Sequence, residues 1–230
     1  MKRVRIVLFY IAAVLICSQA EADDRAIIRS ILDENGLEET TVESVATFKE
    51  DRAIKLNLNN PDVAKDGFKT LPASIGQLDA LITLTINDNV IDSLPVEIGN
   101  LQSLTELELK NNEIMSLPST IGQLSALKVL DLRNNELRKL PPEIGQLDQL
   151  WMLQLWGNEL SFLPEEIGDM ESLKELYLRN NRLKSLPASI MKMDLNYLGI
   201  YDNKLCELDE DLDAWLKKKD DRYRSWQKCW

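Results

Sequence analysis

Trp156 stands 23 residues after Arg133 and 23 before Arg179. If the backbone returns to the same place at that interval, the indole is flanked by two guanidinia close enough for cation-π contact. The same interval gathers other groups able to grip a surface. Trp151, Met152 and Gln154 precede Trp156, Glu175 and Tyr177 lie one interval on, and Tyr197 and Tyr201 follow. Tryptophan, tyrosine and arginine are the types enriched where binding energy concentrates, so the chemistry on offer is recognition. Catalysis has little to work with. Glu106, Glu108 and Asp131 fall near one another on this spacing and could divide acid and base roles, but the chain holds no histidine. That removes the usual base near neutral pH and the commonest metal ligand. The sequence has no glycine-rich phosphate loop. The carboxylates read as a solvated face, and no enzyme activity, cofactor or metal is expected.

The interval belongs to a repeated unit. Residues 104–126 read LTELELKNNEIMSLPSTIGQLSA and residues 127–149 read LKVLDLRNNELRKLPPEIGQLDQ, aligned without a gap. Regular copies begin at Leu81, Leu104, Leu127, Leu150 and Leu173, with Asn89, Asn112, Asn135, Asn158 and Asn181 in register. Within LxxLxL the apolar residues alternate, as Leu107 and Leu109 do, which is the period of a strand. LPxxIG then returns the chain, proline fixing one corner and glycine permitting another. One such coil cannot bury enough to fold alone, and a stack can.

These residues resemble the leucine-rich repeat family, in the variety that carries LPxxIGxL on the return segment, and are similar to exported bacterial members of it. The resemblance implies an α/β solenoid, an arc or horseshoe of about seven coils with a parallel β-sheet on its concave face. It also implies a stacked ladder of the asparagines and a concave wall that serves as the binding surface. Read in that frame, the early coils present Lys55, Asn57, Thr83 and Thr85, and the middle ones Glu106, Glu108, Asp131 and Arg133. The late coils then turn aromatic, with Trp151, Met152, Gln154, Trp156, Tyr177, Arg179, Tyr197 and Tyr201. A patch of that kind marks an interface, and a protein partner is the expected occupant. Three other readings stand beside it: the rings stabilise the sheet through cross-strand pairing or pack under the C-terminal cap, they stack on a glycan such as peptidoglycan, or they serve a surface adhesion protein.

The flanks divide the chain into four segments. Residues 1–22 join Lys2, Arg3 and Arg5 to an apolar run and end in small residues, the layout of a signal peptide cleaved after Ala20 or Ala22. The apolar run is too short to span a membrane, so the mature chain is expected not to insert. Lipid attachment at Cys17 is disfavoured because Ile16, before it, is not small. Residues 23–52 form an N-terminal cap, with a helix burying Ile27, Ile28, Ile31 and Leu32, then an irregular strand through Val42, Val45 and Phe48. Repeats fill 53–205, the first coil carrying an insertion at Pro61 to Gly67. Residues 206–230 form a C-terminal cap whose helix lays Trp215 over the last coil. Cys206 and Cys229 are expected to pair in an exported protein, a reactive thiol being the alternative. A net charge of −11 repels phosphate and argues against nucleic acid as a partner. The chain is expected to be monomeric and exported to the periplasm, the cell surface or the medium.

Overall fold

The computed structural model of the chain describes residues 23–59, 67–220 and 222–229. Residues 1–22, read above as a signal peptide and holding Cys17, and all of the expected insertion at Pro61 to Gly67 except Gly67 lie outside the described residues.

Helix α1 (Asp24–Glu34) begins where Asp23 accepts the Arg25 N–H at 3.0 Å, and Ile27, Ile28, Ile31 and Leu32 form its buried face. Asp24 is also buried, 1 % exposed. Its carboxylate accepts the Ala53 N–H at 2.6 Å and pairs with Arg52 at 3.1 Å, which fastens the helix to the first strand of the solenoid. Asn35 closes the helix and reaches into the first coil, accepting the N–H groups of Lys69 and Thr70. Val42 and Val45 do not lie in a strand as the sequence predicted. They belong to a single helical turn, α2 (Val42–Val45), and both are buried. Residues three apart share a face on a helix and oppose one another on a strand, so only the helical turn hides both.

Strand β1 (Ala46–Lys49) then pairs antiparallel with β2 (Arg52–Asn57). Glu50 and Asp51, between them, both have positive φ, the condition for a tight two-residue hairpin. Every later pairing is parallel, running through β3 (Thr83–Thr85), β4 (Glu106–Glu108), β5 (Val129–Asp131), β6 (Met152–Gln154), β7 (Glu175–Tyr177) and β8 (Tyr197–Gly199). The order follows the chain, so β2 to β8 make seven coils. The central residue of each short parallel strand is a leucine, fully buried from β3 to β7 and half-buried at the open end, Leu198.

Return segments are 3₁₀ turns, such as Ser119–Gln123 and Pro142–Gln146, each entered through a proline in extended conformation. The glycine in all but the last of these turns is demanded by its neighbour. A Cβ on Gly122 would sit 2.3 Å from the Glu143 carbonyl of the next coil, and the same collision recurs at Gly76, Gly99 and Gly145.

The asparagines form the expected ladder. Asn135 accepts the Ile114 N–H at 3.0 Å and donates to the Leu109 carbonyl at 2.9 Å, and Asn89, Asn112, Asn158, Asn181 and Asn203 repeat the pattern. The position just before each has positive φ, held by Asp88, Asn111, Asn134, Gly157, Asn180 and Asp202. Those are the residue types that tolerate the left-handed region. In the irregular first coil Phe68, fully buried, stands where the others carry leucine or isoleucine and donates its N–H to Asn89.

At the C-terminal end, helix α3 (Glu210–Lys219) is capped by Asp209, which accepts the Leu212 N–H at 2.8 Å. Leu212 and Leu216 are the residues it buries, joined by Tyr223 from the turn Tyr223–Trp226. Trp215, expected to cover the last coil, is only half-buried at its margin, because the inward face of the helix is set by the four-residue spacing of the two leucines. Cys206 and Cys229 form the disulfide, with an S–S distance of 2.01 Å.

Candidate functional site

The outward residues of β5 to β8 resolve into two arrangements. The first joins Asp131, Arg133 and Trp156. Asp131 is not an exposed ligand group as its register implied: it is 3 % exposed. Its carboxylate takes the Arg133 Nε at 2.7 and 2.8 Å and a further contact from the same guanidinium. Beside Asp131 and Glu108, the guanidinium has its pKa raised, the hydrogen bond to Asp131 contributing most. So held, it lies 5.8 Å from the Trp156 ring centroid. Of the two arginines flanking Trp156 in sequence, Arg133 makes this contact. Arg179 pairs instead with Asp202 at 3.4 Å.

The second arrangement is the pair Tyr177 and Tyr197, with ring centroids 4.6 Å apart and planes tilted by 35°. Tyr177 donates to Glu175 at 2.7 Å, and that bond, with burial, pushes its pKa up to about 12. Gly199 makes the stack fit. It pairs with Tyr177 across the sheet, and a Cβ there would lie 2.9 Å from the Tyr197 ring. Its signal was visible as a glycine at an outward strand position where every other coil carries a side chain.

Met152 and Gln154, on β6 between these groups, contact each other through sulfur at 3.0 Å. Trp151 precedes β6 and stands at the edge of the face, 39 % exposed, its backbone bonded to Lys128 and Lys174 on either side. Tyr201 leaves the patch for the cap, donating to Asp220 at 3.1 Å and meeting Trp226 edge-on.

Towards the N-terminal end the face is polar and internally bonded. Asn87 donates to Glu108 at 2.7 Å, and burial together with the Glu108 charge raises the pKa of Glu106. Among the described residues no group of His, Cys, Asp and Glu is arranged to hold a metal ion.

Models of the leucine-rich repeat match residues 102–160 and 172–193. The chain carries leucine-rich repeats, a family whose domains generally mediate protein–protein interaction and typically serve as binding scaffolds. The search of curated proteins gives no match. Among solved structures, a leucine-rich repeat protein of Leptospira interrogans shares 32 % identity over 65 % of this chain and 50 % of its own, with a TM-score of 0.38. A plant ice-binding protein is 24 % identical over 79 % of this chain and 64 % of its own, with a TM-score of 0.66, a likeness of fold. A TDR receptor is 31 % identical over 58 % of this chain and 24 % of its own, with a TM-score of 0.54. The chain thus spans less than two thirds of each of these three. The disulfide fits an oxidising environment, and no helix among the described residues is long and apolar enough to cross a membrane.

Proposed function

We propose that this chain is a non-enzymatic recognition module of an exported bacterial protein, acting as a monomer and gripping a protein partner through the aromatic end of its concave sheet. The observation that carries this reading is the Asp131–Arg133–Trp156 arrangement. A buried carboxylate fixes a half-exposed guanidinium beside an indole on an open face, so two side-chain types favoured at interfaces are ordered before any partner arrives. Tyr177 and Tyr197 extend the ordered surface, and Trp151 lies at its rim. Export rests on residues 1–22 and on the Cys206–Cys229 bond.

The test compares wild type with a Trp151→Ala, Trp156→Ala, Tyr177→Ala triple variant as bait, after both show the same unfolding transition. A protein retained by wild type and lost by the variant supports the reading. Equal capture by both baits removes the patch from the function. N-terminal sequencing of the exported chain, expected to begin at residue 21 or 23, tests the processing.

A further inference from the structure

Where the last coil meets the cap, Arg179, Tyr201, Asp202, Arg222 and Trp226 line a hollow of about 470 Å³. We propose that this hollow is a second binding site, separate from the protein-binding patch, and that it takes a carboxylate-bearing pyranose, a uronic-acid residue of an acidic glycan.

Three features carry the assignment. Trp226 is 52 % exposed, and its edge-to-face contact with Tyr201, at 6.1 Å between centroids, covers at most one face of the indole. A sugar ring has apolar C–H faces and a polar hydroxyl rim. An indole plate answers the first, and guanidinium donors with the Asp202 acceptor answer the second. The charge selects among sugars. Arg179 and Lys228 both reach Asp202, at 3.4 and 3.8 Å, and Arg222 reaches Asp220 at 3.9 Å. Two cations thus share the one Asp202 carboxylate, on a chain whose net charge is −11. An anionic sugar therefore fits better than a neutral one.

The walls are fixed before binding. Asp202 donates its N–H to the Trp226 carbonyl at 2.9 Å, and Lys228 donates to Asn203 at 2.6 Å. The disulfide holds the same segment to the coil. The volume falls within the ~300–1,000 Å³ of small-ligand sites, whereas a stable protein contact needs about 800 Å² from each partner. Size thus favours a sugar residue over an acidic peptide.

The experiment is calorimetric titration of the full chain with tri-galacturonic acid, its methyl ester, and hexaglutamate. Saturable binding of the uronide is expected, with the ester weaker by about tenfold or more. Trp226→Ala should weaken the uronide by about tenfold or more, Trp226→Phe should keep most of the affinity, and Arg179→Gln should weaken the acid but not the ester. The concave triple variant should bind the uronide like wild type, which separates this site from the patch. The proposal fails if the uronide does not bind, if Trp226→Ala binds it undiminished, or if hexaglutamate binds as tightly at the same residues. Should Trp226→Ala not fold, the exposed Arg179→Gln decides: equal loss for acid and ester, or loss for neither, overturns it.

Discussion

Gln227 and Asn203 make the same two bonds, one coil apart. Asn203 accepts the Leu183 N–H at 3.0 Å and donates to the Leu178 carbonyl at 2.9 Å; Gln227 accepts from Leu205 at 3.3 Å and donates to Ile200 at 3.2 Å. The acceptor and donor positions match in the two coils. The asparagine ladder therefore ends on a glutamine supplied by the cap, whose longer side chain spans the distance from a 3₁₀ turn rather than from a strand end.

Gln227→Ala leaves the buried Leu205 N–H without its acceptor, while the Ile200 C=O keeps Asn203, so it should cost about 2 kcal/mol. The check is the urea midpoint at unchanged slope, with faster amide exchange at Leu205. A variant as stable as wild type would show that the cap does not depend on this bond.

Gln227 also shows where the sequence stops being readable. The coils, their strands and the ladder follow from leucine and asparagine spacing, because every copy repeats the same local problem. Gln227 belongs to no repeat, and nothing in its neighbours marks it. Phe68 escaped notice for a related reason: the insertion before it breaks the count. The left-handed position was legible in retrospect, since Asp, Asn or Gly occupies it from Asp88 to Asp202. On the concave face, register gave which residues face outward. It did not give how they pair, so the burial of Asp131 and the departure of Arg179 and Tyr201 towards the cap required side-chain geometry.

Asp24→Ala should cost about 3 kcal/mol. The substitution strips Arg52 of its buried partner and leaves the Ala53 N–H without its acceptor, while Arg52 keeps Asp79. Chemical denaturation is the check, and exchange should rise first in the amides of α1 and β1.

Glu106→Gln should stabilise the chain at neutral pH by about 0.5 kcal/mol after solvent screening. Burial and the Glu108 charge raise the folded pKa of Glu106. Its contribution is therefore fully present below the ordinary glutamate value and lost as pH rises through the folded one. The gap between variant and wild type should close in acid. A gap that widens as pH falls would contradict the sign.

Asp213 should make the C-terminal cap acid-sensitive. Lys217, Tyr223 and Arg224 hold it at a pKa of about 2, with ion pairs of 2.7 Å to Lys217 and to Arg224. Its contribution is present above the ordinary aspartate value and is lost as pH falls towards about 2. Between those limits amide exchange at Leu212 and Leu216 should accelerate before that of β4 to β6, and Asp213→Asn should show the faster exchange already at pH 7.

The return-segment glycines have a further meaning. Each is needed only because another 3₁₀ turn comes down on it, and the coil beginning at Leu173 carries Met191 at that place, half-buried against the core beneath the cap. A methionine there refuses any further turn. The chain thus writes its own length: splicing an additional copy between Met193 and Leu195 would meet a steric stop unless Met191 became glycine, whereas a copy added between Gln149 and Leu150 would find its landing already cleared.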